Sequence, residues 1–317
     1  MTSSLTLSIA SKRLIAETIV LLDLQHPDAS ELPAFTAGAH LLIDLPGGLS
    51  RAYSLCNDPD ERRRYQIAVN LAPDSRGGSR AVHDLLQMGQ RLSVSLPRNH
   101  FPLEESAQHS VLLAGGIGIT PLLAMARRLQ ALGRSWEMHY STRSPARCAF
   151  KTELETGPLA PRTRLYFDAG PGTPMDVKTL LTRAPADSYL YVCGPAGLID
   201  HALALGREAG WPSAHLHSER FGLEQAPQSG TRAFRLVLAR SGLTLEVPPD
   251  QTVVHVLREA GIDVPTSCEQ GVCGTCITDV LAGRPDHRDQ CLDEGLRATC
   301  FTPCCSRAMD DTLTIDL

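Results

Sequence analysis

Positive charge, long apolar runs and an export signal are scarce or missing in this chain, and each absence excludes a class of function. The 317 residues contain 30 Lys and Arg against 35 Asp and Glu, so the net charge of −5 leaves no basic face for nucleic acid. The longest mainly apolar stretch, 111–126, is interrupted by glycines and a proline, and it is shorter than the about 20 residues that a membrane-spanning helix needs. The N-terminus has no basic segment followed by an apolar core. We therefore expect a cytoplasmic protein with no membrane and no nucleic-acid partner.

Cysteine, by contrast, is plentiful near the C-terminus. Cys268, Cys273 and Cys276 are spaced C-x4-C-x2-C and are followed by further cysteines, which is the plant-type arrangement for a 2Fe-2S cluster. Gly271 and Gly274 lie between these ligands, where the loop needs positive φ values and backbone N–H groups aimed at the sulfurs. Zinc sites usually pair two C-x2-C motifs or combine one with His, and disulfides are rare in a reducing cytoplasm. The spacing therefore predicts a cluster rather than a zinc site or disulfides.

The fourth cluster ligand has four candidates, Cys291, Cys300, Cys304 and Cys305. Cys304 lies just before the last strand-like run, 313–317, where a returning strand could close the site. Cys305 would point the opposite way on an extended chain. Cys304 is therefore the expected ligand, and Cys300 and Cys291 are expected to be spare thiols.

The chain is too long for a ferredoxin alone, and its patterns divide it into several domains. Its first part alternates short β-like runs with Gly and Pro turns, which predicts an antiparallel barrel. Repeated strand and helix patterns begin at residue 110 and predict an α/β domain with a parallel sheet. A polar segment with Pro and Gly then reads as a linker. The expected fold class is multidomain: a β-barrel at 1–103, an α/β domain at 104–224, a linker at 225–230 and a cluster-binding domain at 231–317.

The barrel region contains an Arg-x-Tyr-Ser motif. If this segment is extended, Arg51 and Tyr53 point to one side of the strand and Ser54 to the other. Arg51 could then bind a phosphate, Tyr53 could pack on a planar ring, and Ser54 could hydrogen-bond the reactive edge of that ring. An ordinary strand explains the same residues about equally well.

A second motif in the barrel region, Arg76-Gly77-Gly78-Ser79, precedes a helix-like stretch at 81–88. Backbone N–H groups of the glycines, the Ser hydroxyl, the Arg side chain and the start of a helix together suit a phosphate group. The alternative is a flexible surface turn.

In the α/β region, a glycine loop lies between the first strand and its helix. The loop reads Gly115-Gly116-Ile117-Gly118-Ile119-Thr120-Pro121. Glycines allow the backbone to approach a pyrophosphate, and Pro121 at the helix start, after Thr120 as N-cap, leaves N–H groups free for the anion. The loop differs from the G-x-G-x-x-G fingerprint of dehydrogenases, but its position between strand and helix predicts nucleotide binding.

Two further segments follow strands of this sheet. Cys193-Gly194-Pro195 would lie at the carboxyl edge, where nicotinamide could stack nearby, although Cys193 is also compatible with a small buried apolar residue. Thr142 and Arg143 follow the second strand, where the adenosine ribose should lie. No acidic residue stands there to bind the ribose 2′-hydroxyl. The residues alone therefore leave the choice between NADH and NADPH open.

In this order, the motifs resemble the phthalate dioxygenase reductase and vanillate O-demethylase reductase family across nearly the whole chain. Two more segments match, Pro97-x-Asn99-x-Phe101 and Glu219-x-Phe221-Gly222. The resemblance implies an FMN-binding barrel, a ferredoxin-reductase-like domain that prefers NADH, and a C-terminal β-grasp ferredoxin domain. FAD is the alternative flavin, because related enzymes with the same barrel often use it.

The same resemblance assigns roles to residues. It implies that FMN is held by Arg51, Tyr53, Ser54, Arg76 and Ser79, and the motif itself suggests that the Gly77 and Gly78 backbone also contacts the phosphate. It places the nicotinamide nucleotide along Gly116, Thr120 and Cys193, with Phe221 stacked near the flavin and Glu219 beside it. Ser54, Cys193, Glu219 and Phe221 thus form the expected hydride path. We expect no acid–base catalyst, since the protein supplies positioning and tuning of its cofactors.

The expected function is that of a reductase passing electrons from NADH through FMN to the cluster and on to a separate terminal Rieske-type oxygenase, in aromatic-acid demethylation or dioxygenation. We expect a monomer that docks transiently, with Glu269 and Asp279 able to steer a basic patch of the partner. One alternative is a reductase for another acceptor, such as a quaternary-amine oxygenase or a cytochrome-type monooxygenase. A second alternative is an iron–sulfur redox sensor.

Overall fold

The computed structural model describes residues 4–73, 77–169, 174–221, 232–266, 271, 274–289 and 291–317. Met1–Leu49 with Tyr53–Phe221 form one compact unit, and Ser50–Ala52 with Gly222–Leu317 form a second. Within the described ranges, no helix is long and apolar enough to cross a membrane. Arg76, Cys268, Cys273 and the predicted linker lie outside the described residues.

The first sheet is an antiparallel barrel of six strands. They are β1 (Ser4–Ala16), β2 (Ile19–Gln25), β3 (His40–Leu45), β4 (Leu49–Ser54), β5 (Tyr65–Asn70) and β6 (Arg91–Ser95). Their order in the sheet is β4-β3-β6-β1-β2-β5. A β-bridge between Leu55, just after β4, and Ile67 on β5 joins the two ends of this order and closes the barrel. Its core is mainly aliphatic and includes Leu22, Leu41 and Ile43, so the predicted antiparallel barrel is confirmed.

A short helix, α1 (Gly78–Arg80), follows the glycine motif of the barrel and continues as a π-helical turn, Ala81–Leu85. The Lys12 ammonium donates to the carbonyl of His83 at 2.5 Å and to that of Leu86 at 2.8 Å. The chain becomes extended at Leu86. The helical stretch predicted to reach residue 88 therefore ends at Leu85, and Lys12 donates hydrogen bonds to carbonyl groups at this end.

The second sheet is entirely parallel. Its strands are β7 (His109–Gly115), β8 (Ser135–Thr142), β9 (Thr163–Phe167), β10 (Tyr189–Cys193) and β11 (Leu216–Glu219), in the order β11-β10-β7-β8-β9. Its helices are α2 (Ile119–Ala131), α3 (Lys151–Thr156), α4 (Val177–Arg183) and α5 (Ala196–Glu208). Val111 and Leu113 of β7 pack with α4 and α5, while Leu112 packs with α2 on the other face. The strand order reverses between β7 and β10, which is where sheets of this kind bind ligands.

Helix α2 begins earlier than the sequence predicts. A 3-10 turn, Gly116–Gly118, leads into it, and Gly118 is its N-cap residue. The Thr120 hydroxyl donates to the Ile117 carbonyl at 3.1 Å instead of accepting from a backbone N–H. The prediction of Thr120 as N-cap is wrong, because the chain already has helical geometry when it reaches this residue.

The barrel and the parallel sheet share a hydrophobic core within the first unit. Leu21 of β2 belongs to the same buried cluster as Leu122 and Met125 of α2. The guanidinium of Arg127, also on α2, donates to the carbonyl of Cys56 just after the barrel strands β3 and β4. These contacts join the two sheets and explain why they form one unit.

The second unit contains a mixed sheet and a helix packed on it. The elements are β12 (Phe234–Leu238), β13 (Thr244–Val247), α6 (Val253–Glu259), β14 (Thr278–Ala282), β15 (Pro285–Asp286), α7 (Glu294–Arg297), β16 (Cys300–Phe301), β17 (Arg307–Ala308) and β18 (Thr312–Ile315). The main sheet has the order β13-β12-β18-β14-β16, and β12 runs parallel to β18. Val253 and Leu257 of α6 lie in its buried core with Phe301. This is the β-grasp arrangement that the family resemblance implies.

Two loops meet at the carboxyl edge between β7 and β10. An ideal Cβ at Gly118 would lie 2.2 Å from the Cys193 carbonyl oxygen, and one at Gly194 would lie 2.9 Å from the Gly115 Cα. The loops therefore touch backbone to backbone, and these glycines serve contact within the chain. Gly116 differs, since it has a φ of 54° and nothing within 4 Å of its Cβ position, so its backbone is open to a ligand.

We predict that Gly118→Ala destabilises the first unit by about 1–3 kcal/mol, because the new methyl group overlaps backbone atoms that can move only together with β10. Gly197→Ala in α5 is the matched control, since its Cβ would meet nothing within 4 Å and alanine favours the helix by up to about 1 kcal/mol. Urea unfolding of both variants measures the difference. Equal stability of the two variants would contradict the backbone contact.

Candidate functional site

A buried polar group lies at the carboxyl edge of the parallel sheet, next to the barrel. Cys193 ends β10, Glu219 ends β11, and the two are register partners on neighbouring strands. The Ser54 hydroxyl, at the end of β4, donates to Glu219 Oε2 at 3.3 Å. All three side chains are buried, while Phe221 is 40% exposed. The structure thus brings together three of the four residues predicted for the hydride path and places the fourth two residues after β11.

Burial favours the protonated, uncharged forms of Glu219 and Cys193. It raises the pKa of the Glu219 carboxyl to about 8, because a carboxylate loses its hydration there. Burial also raises the pKa of the Cys193 thiol well above its usual value. At neutral pH the site therefore presents a carboxylic acid, a thiol and a hydroxyl, all uncharged and all able to form hydrogen bonds.

The residues predicted to hold a flavin phosphate are described in part. Gly77 has a φ of 89° and lies just before α1, as a cradle of N–H groups requires. The Ser79 hydroxyl accepts a hydrogen bond from the Ala72 backbone at 3.2 Å. Arg51 donates to the Ser50 carbonyl at 2.8 Å, and Tyr53 packs against the barrel core. These residues are compatible with a bound flavin, and their ligand roles stay predictions.

A carboxylate does lie at the predicted ribose end of the sheet, contrary to what the residues after β8 indicate. Asp168 follows β9, and its Oδ1 accepts from the Ser141 hydroxyl at 3.3 Å. The Asp168 backbone N–H donates to the Thr142 carbonyl at 3.1 Å, and the Ala169 N–H donates to the Arg143 carbonyl at 2.9 Å. Sequence reasoning missed Asp168 because it searched only after the second strand. The signal available was an acidic residue directly after the third strand.

Two of the four predicted cluster ligands, Cys276 and Cys304, are described, and both are buried. Hydrogen bonding of the Cys304 thiol to the Cys276 and Cys305 sulfurs, together with burial, raises the pKa of Cys304, because a donating thiol is favoured in its protonated form. Thiols packed this tightly need a cation if they are to be thiolates, and iron supplies that charge in a cluster. Gly271 and Gly274 have φ values of 71° and 69°, so the positive φ values predicted between the ligands are present. The donor set and the loop therefore fit a 2Fe-2S cluster.

Cys304 and Cys305 lie in a turn and not on an extended chain as predicted. In this turn the Cys305 and Ser306 backbone N–H groups donate to the Thr302 carbonyl at 3.2 and 2.9 Å. Both thiols are buried, and an ideal Cβ at Gly271 would lie 2.6 Å from Cys305 Sγ. The expectation that Cys305 points away from the site because the chain is extended is therefore wrong.

The other two candidate thiols have different surroundings. Cys300 Sγ donates to Asp279 Oδ1 at 3.2 Å, so it is engaged with a carboxylate. Cys291 Sγ lies 4.0 Å from an ideal Cβ at Gly274, which places it at the rim of the ligand loop. Asp279, predicted to steer a partner, thus also has a contact within the chain.

Known proteins resemble both units. A family model described as the 2Fe-2S iron-sulfur cluster binding domain matches residues 236–309. Vanillate O-demethylase oxidoreductase from Pseudomonas sp. strain HR199 is 46% identical over 98% of this chain and 98% of its own length. The structure of phthalate dioxygenase reductase, described as modular for electron transfer from pyridine nucleotides to 2Fe-2S, is 40% identical with a TM-score of 0.78, covering 99% of this chain and 98% of that chain.

A third similarity concerns part of a larger protein. An intact type IV self-sufficient cytochrome P450 monooxygenase is 39% identical with a TM-score of 0.80, covering 99% of this chain and 41% of that chain.

The two full-length similarities and the match to the cluster-binding model agree with the thiol site and with the two sheets of the first unit. The chain therefore belongs to the family of vanillate O-demethylase oxidoreductases and phthalate dioxygenase reductases, and it is an iron–sulfur flavoprotein oxidoreductase.

Proposed function

We propose that the protein is the reductase component of a Rieske-type oxygenase system that acts on aromatic acids, by demethylation or dioxygenation. It takes electrons from NADH through FMN to its 2Fe-2S cluster and passes them to a separate terminal oxygenase. The observation that carries the proposal is the hydrogen bond between Ser54 and Glu219. It joins the end of a barrel strand to the sheet edge at the reversal of strand order, so a flavin ring on the barrel and a nicotinamide on the sheet would meet there.

When bound, the cofactors supply the conversion between a two-electron hydride donor and a one-electron acceptor. The residues of the chain supply the environment. Glu219 is neutral at pH 7 because of its burial, so it offers a hydrogen bond without placing a negative charge beside the bound cofactors. Ser54 and Cys193 complete an uncharged lining from which bulk water is excluded.

Asp168 supports NADH as the donor. A carboxylate at the ribose end accepts a hydrogen bond from a 2′-hydroxyl and repels a 2′-phosphate. The Thr142 carbonyl accepts a hydrogen bond from the Asp168 backbone N–H, and the Arg143 carbonyl accepts one from the next N–H, that of Ala169. FMN is proposed over FAD on the family resemblance, and a cytoplasmic location, a monomeric state and transient docking to the oxygenase are part of the same proposal.

A second candidate function has a specific observation in its favour. Nearly the whole chain resembles a portion of a self-sufficient cytochrome P450 monooxygenase, so the acceptor would be a haem monooxygenase. Reconstitution of the protein with each kind of oxygenase distinguishes the two candidate functions. Coupled turnover with a Rieske-type oxygenase supports the first proposal, and coupled turnover only with a cytochrome P450 overturns it.

The buried Glu219 predicts a pH dependence. Burial raises its pKa to about 8, so the carboxyl is neutral at pH 7 and ionises as the pH rises through 8. We expect reduction of the bound flavin by NADH, followed by stopped-flow absorbance, to be about tenfold slower at pH 9 than at pH 7. Glu219→Gln, which cannot ionise, should remove this decline. An unchanged pH profile in Glu219→Gln would assign the titration to another group.

Asp168 predicts the choice of nucleotide. Asp168→Asn removes the charge and keeps the shape, so the ratio of kcat/KM for NADPH to that for NADH should rise about 10–100-fold, which is about 1.4–2.8 kcal/mol. Ser141→Ala is the control, because it removes the hydrogen bond to Asp168 and keeps the charge. Steady-state kinetics with both nucleotides measures the ratio. The same ratio in Asp168→Asn and the parent protein would exclude the role.

Removal of a cluster ligand should separate two activities. Cys276→Ala should lose the cluster and, with it, reduction of a one-electron protein acceptor such as cytochrome c. Oxidation of NADH with a two-electron dye such as dichlorophenolindophenol should remain, because the first unit is intact. Cys300→Ala is the control, since its thiol contacts Asp279 instead of the other ligands. Loss of both activities from a folded Cys276→Ala protein would contradict the proposed order of electron transfer.

A further inference from the structure

The described part of the cluster site contains one thiol more than the predicted ligand set requires. Cys304 is hydrogen-bonded to both Cys276 and Cys305. A plant-type 2Fe-2S cluster takes four cysteine ligands. Cys305 is therefore not required beside the predicted set of Cys268, Cys273, Cys276 and Cys304, and its position calls for another explanation.

The surroundings of Cys305 resemble those of a metal-bound sulfur more than those of a thiol in an apolar core. Its Sγ lies 3.2 Å from the Thr302 hydroxyl and 3.8 Å from the Ser306 hydroxyl. These two hydroxyl groups are 2.8 Å apart, and Ser306 also donates to the buried Asp289 carboxylate at 3.4 Å. A sulfur that can accept a hydrogen bond from the Thr302 hydroxyl is suited to carry negative charge, as an iron-bound thiolate does.

The position of Cys305 also gives it access to the ligand loop. An ideal Cβ at Gly271 would lie 2.6 Å from Cys305 Sγ, and Gly271 stands in sequence between the predicted ligands Cys268 and Cys273. Cys304 and Cys305 are adjacent in the turn, with Cα atoms about 3.8 Å apart, and both thiols are buried. Cys300 lies on β16, and its thiol is hydrogen-bonded to Asp279 instead.

We propose that Cys305 is a reserve ligand of the 2Fe-2S cluster, able to take the fourth position when the Cys304 sulfur is removed. This inference rests on the proposed cluster. In the parent protein the exchange would be a ligand substitution at iron: the bond to Cys304 breaks, the bond to Cys305 forms, and the thiol proton of Cys305 passes to the released Cys304 sulfur. No electron is gained or lost in this step.

Alanine variants of the full chain test the proposal, because alanine offers no oxygen that could bind iron in place of sulfur. The measurements are iron and acid-labile sulfide content, and the EPR spectrum after reduction with dithionite. Cys305→Ala should match the parent protein. Cys304→Ala should keep at least about half of the iron, with a shifted spectrum, and the double variant should lose about nine tenths of it.

A folded Cys304→Ala protein that is as free of iron as the double variant would overturn the proposal. Far-UV circular dichroism shows whether each variant is folded. If Cys304→Ala does not fold, Cys304→Val and Cys304→Val/Cys305→Val repeat the comparison with side chains closer in volume to cysteine and without an iron-binding oxygen, and equal iron contents in these two would overturn the proposal as well. A parent protein without iron and sulfide would instead refute the proposed function itself, so the two failures are distinguishable.

Discussion

The contact between Gly118 and the Cys193 carbonyl is the constraint on which the first site depends. Backbone atoms meet there without intervening side chains, so the start of α2 and the end of β10 are held at a fixed separation. Pairing of β10 with β11 then places Cys193 beside Glu219, and Glu219 in turn accepts a hydrogen bond from Ser54 of the barrel. A single tight approach between two loops thus determines where the barrel and the sheet edge can share a ligand.

The two sites differ in the charge that their buried groups carry. Around Glu219 and Cys193, burial keeps acidic groups protonated, so the site is polar and neutral. Around Cys304, thiols crowd together in a buried setting where proton loss is costly unless iron supplies positive charge. A neutral site suits a hydride donor and its acceptor, and a site that demands a cation suits a metal cluster. This difference matches the division of the chain into a part that binds organic cofactors and a part that binds the cluster.

Sequence patterns predicted the strands and turns that are determined mainly by their own residues. The strand-like run at 313–317 overlaps β18, and Cys193-Gly194-Pro195 leads from β10 into α5. The strands β3 and β11 were not predicted, because β3 is almost wholly buried without alternation and β11 is four residues long. Neither pattern carries the period of two that marks a half-exposed strand.

The errors at the two sites have different physical causes, one in the pairing of strands and one in the geometry of a local turn. Asp168 reaches the ribose end because β9 lies parallel to β8, and no spacing rule along one strand reveals this. Cys305 was set aside on the assumption of an extended chain, whereas hydrogen bonds to Thr302 form a turn. Asp168 and Cys305 can be read directly from the sequence, but only the fold shows which residues lie next to them.

In the proposed function, electrons pass from NADH to the flavin and only then to the cluster. This order is tested by anaerobic rapid mixing of the purified protein with one equivalent of NADH, with absorbance recorded for the flavin and rapid-freeze EPR for the cluster. Flavin absorbance should fall first, and the signal of the reduced cluster should rise afterwards in the same sample. Reduction of the cluster before the flavin, or in protein from which the flavin has been removed, would contradict this order.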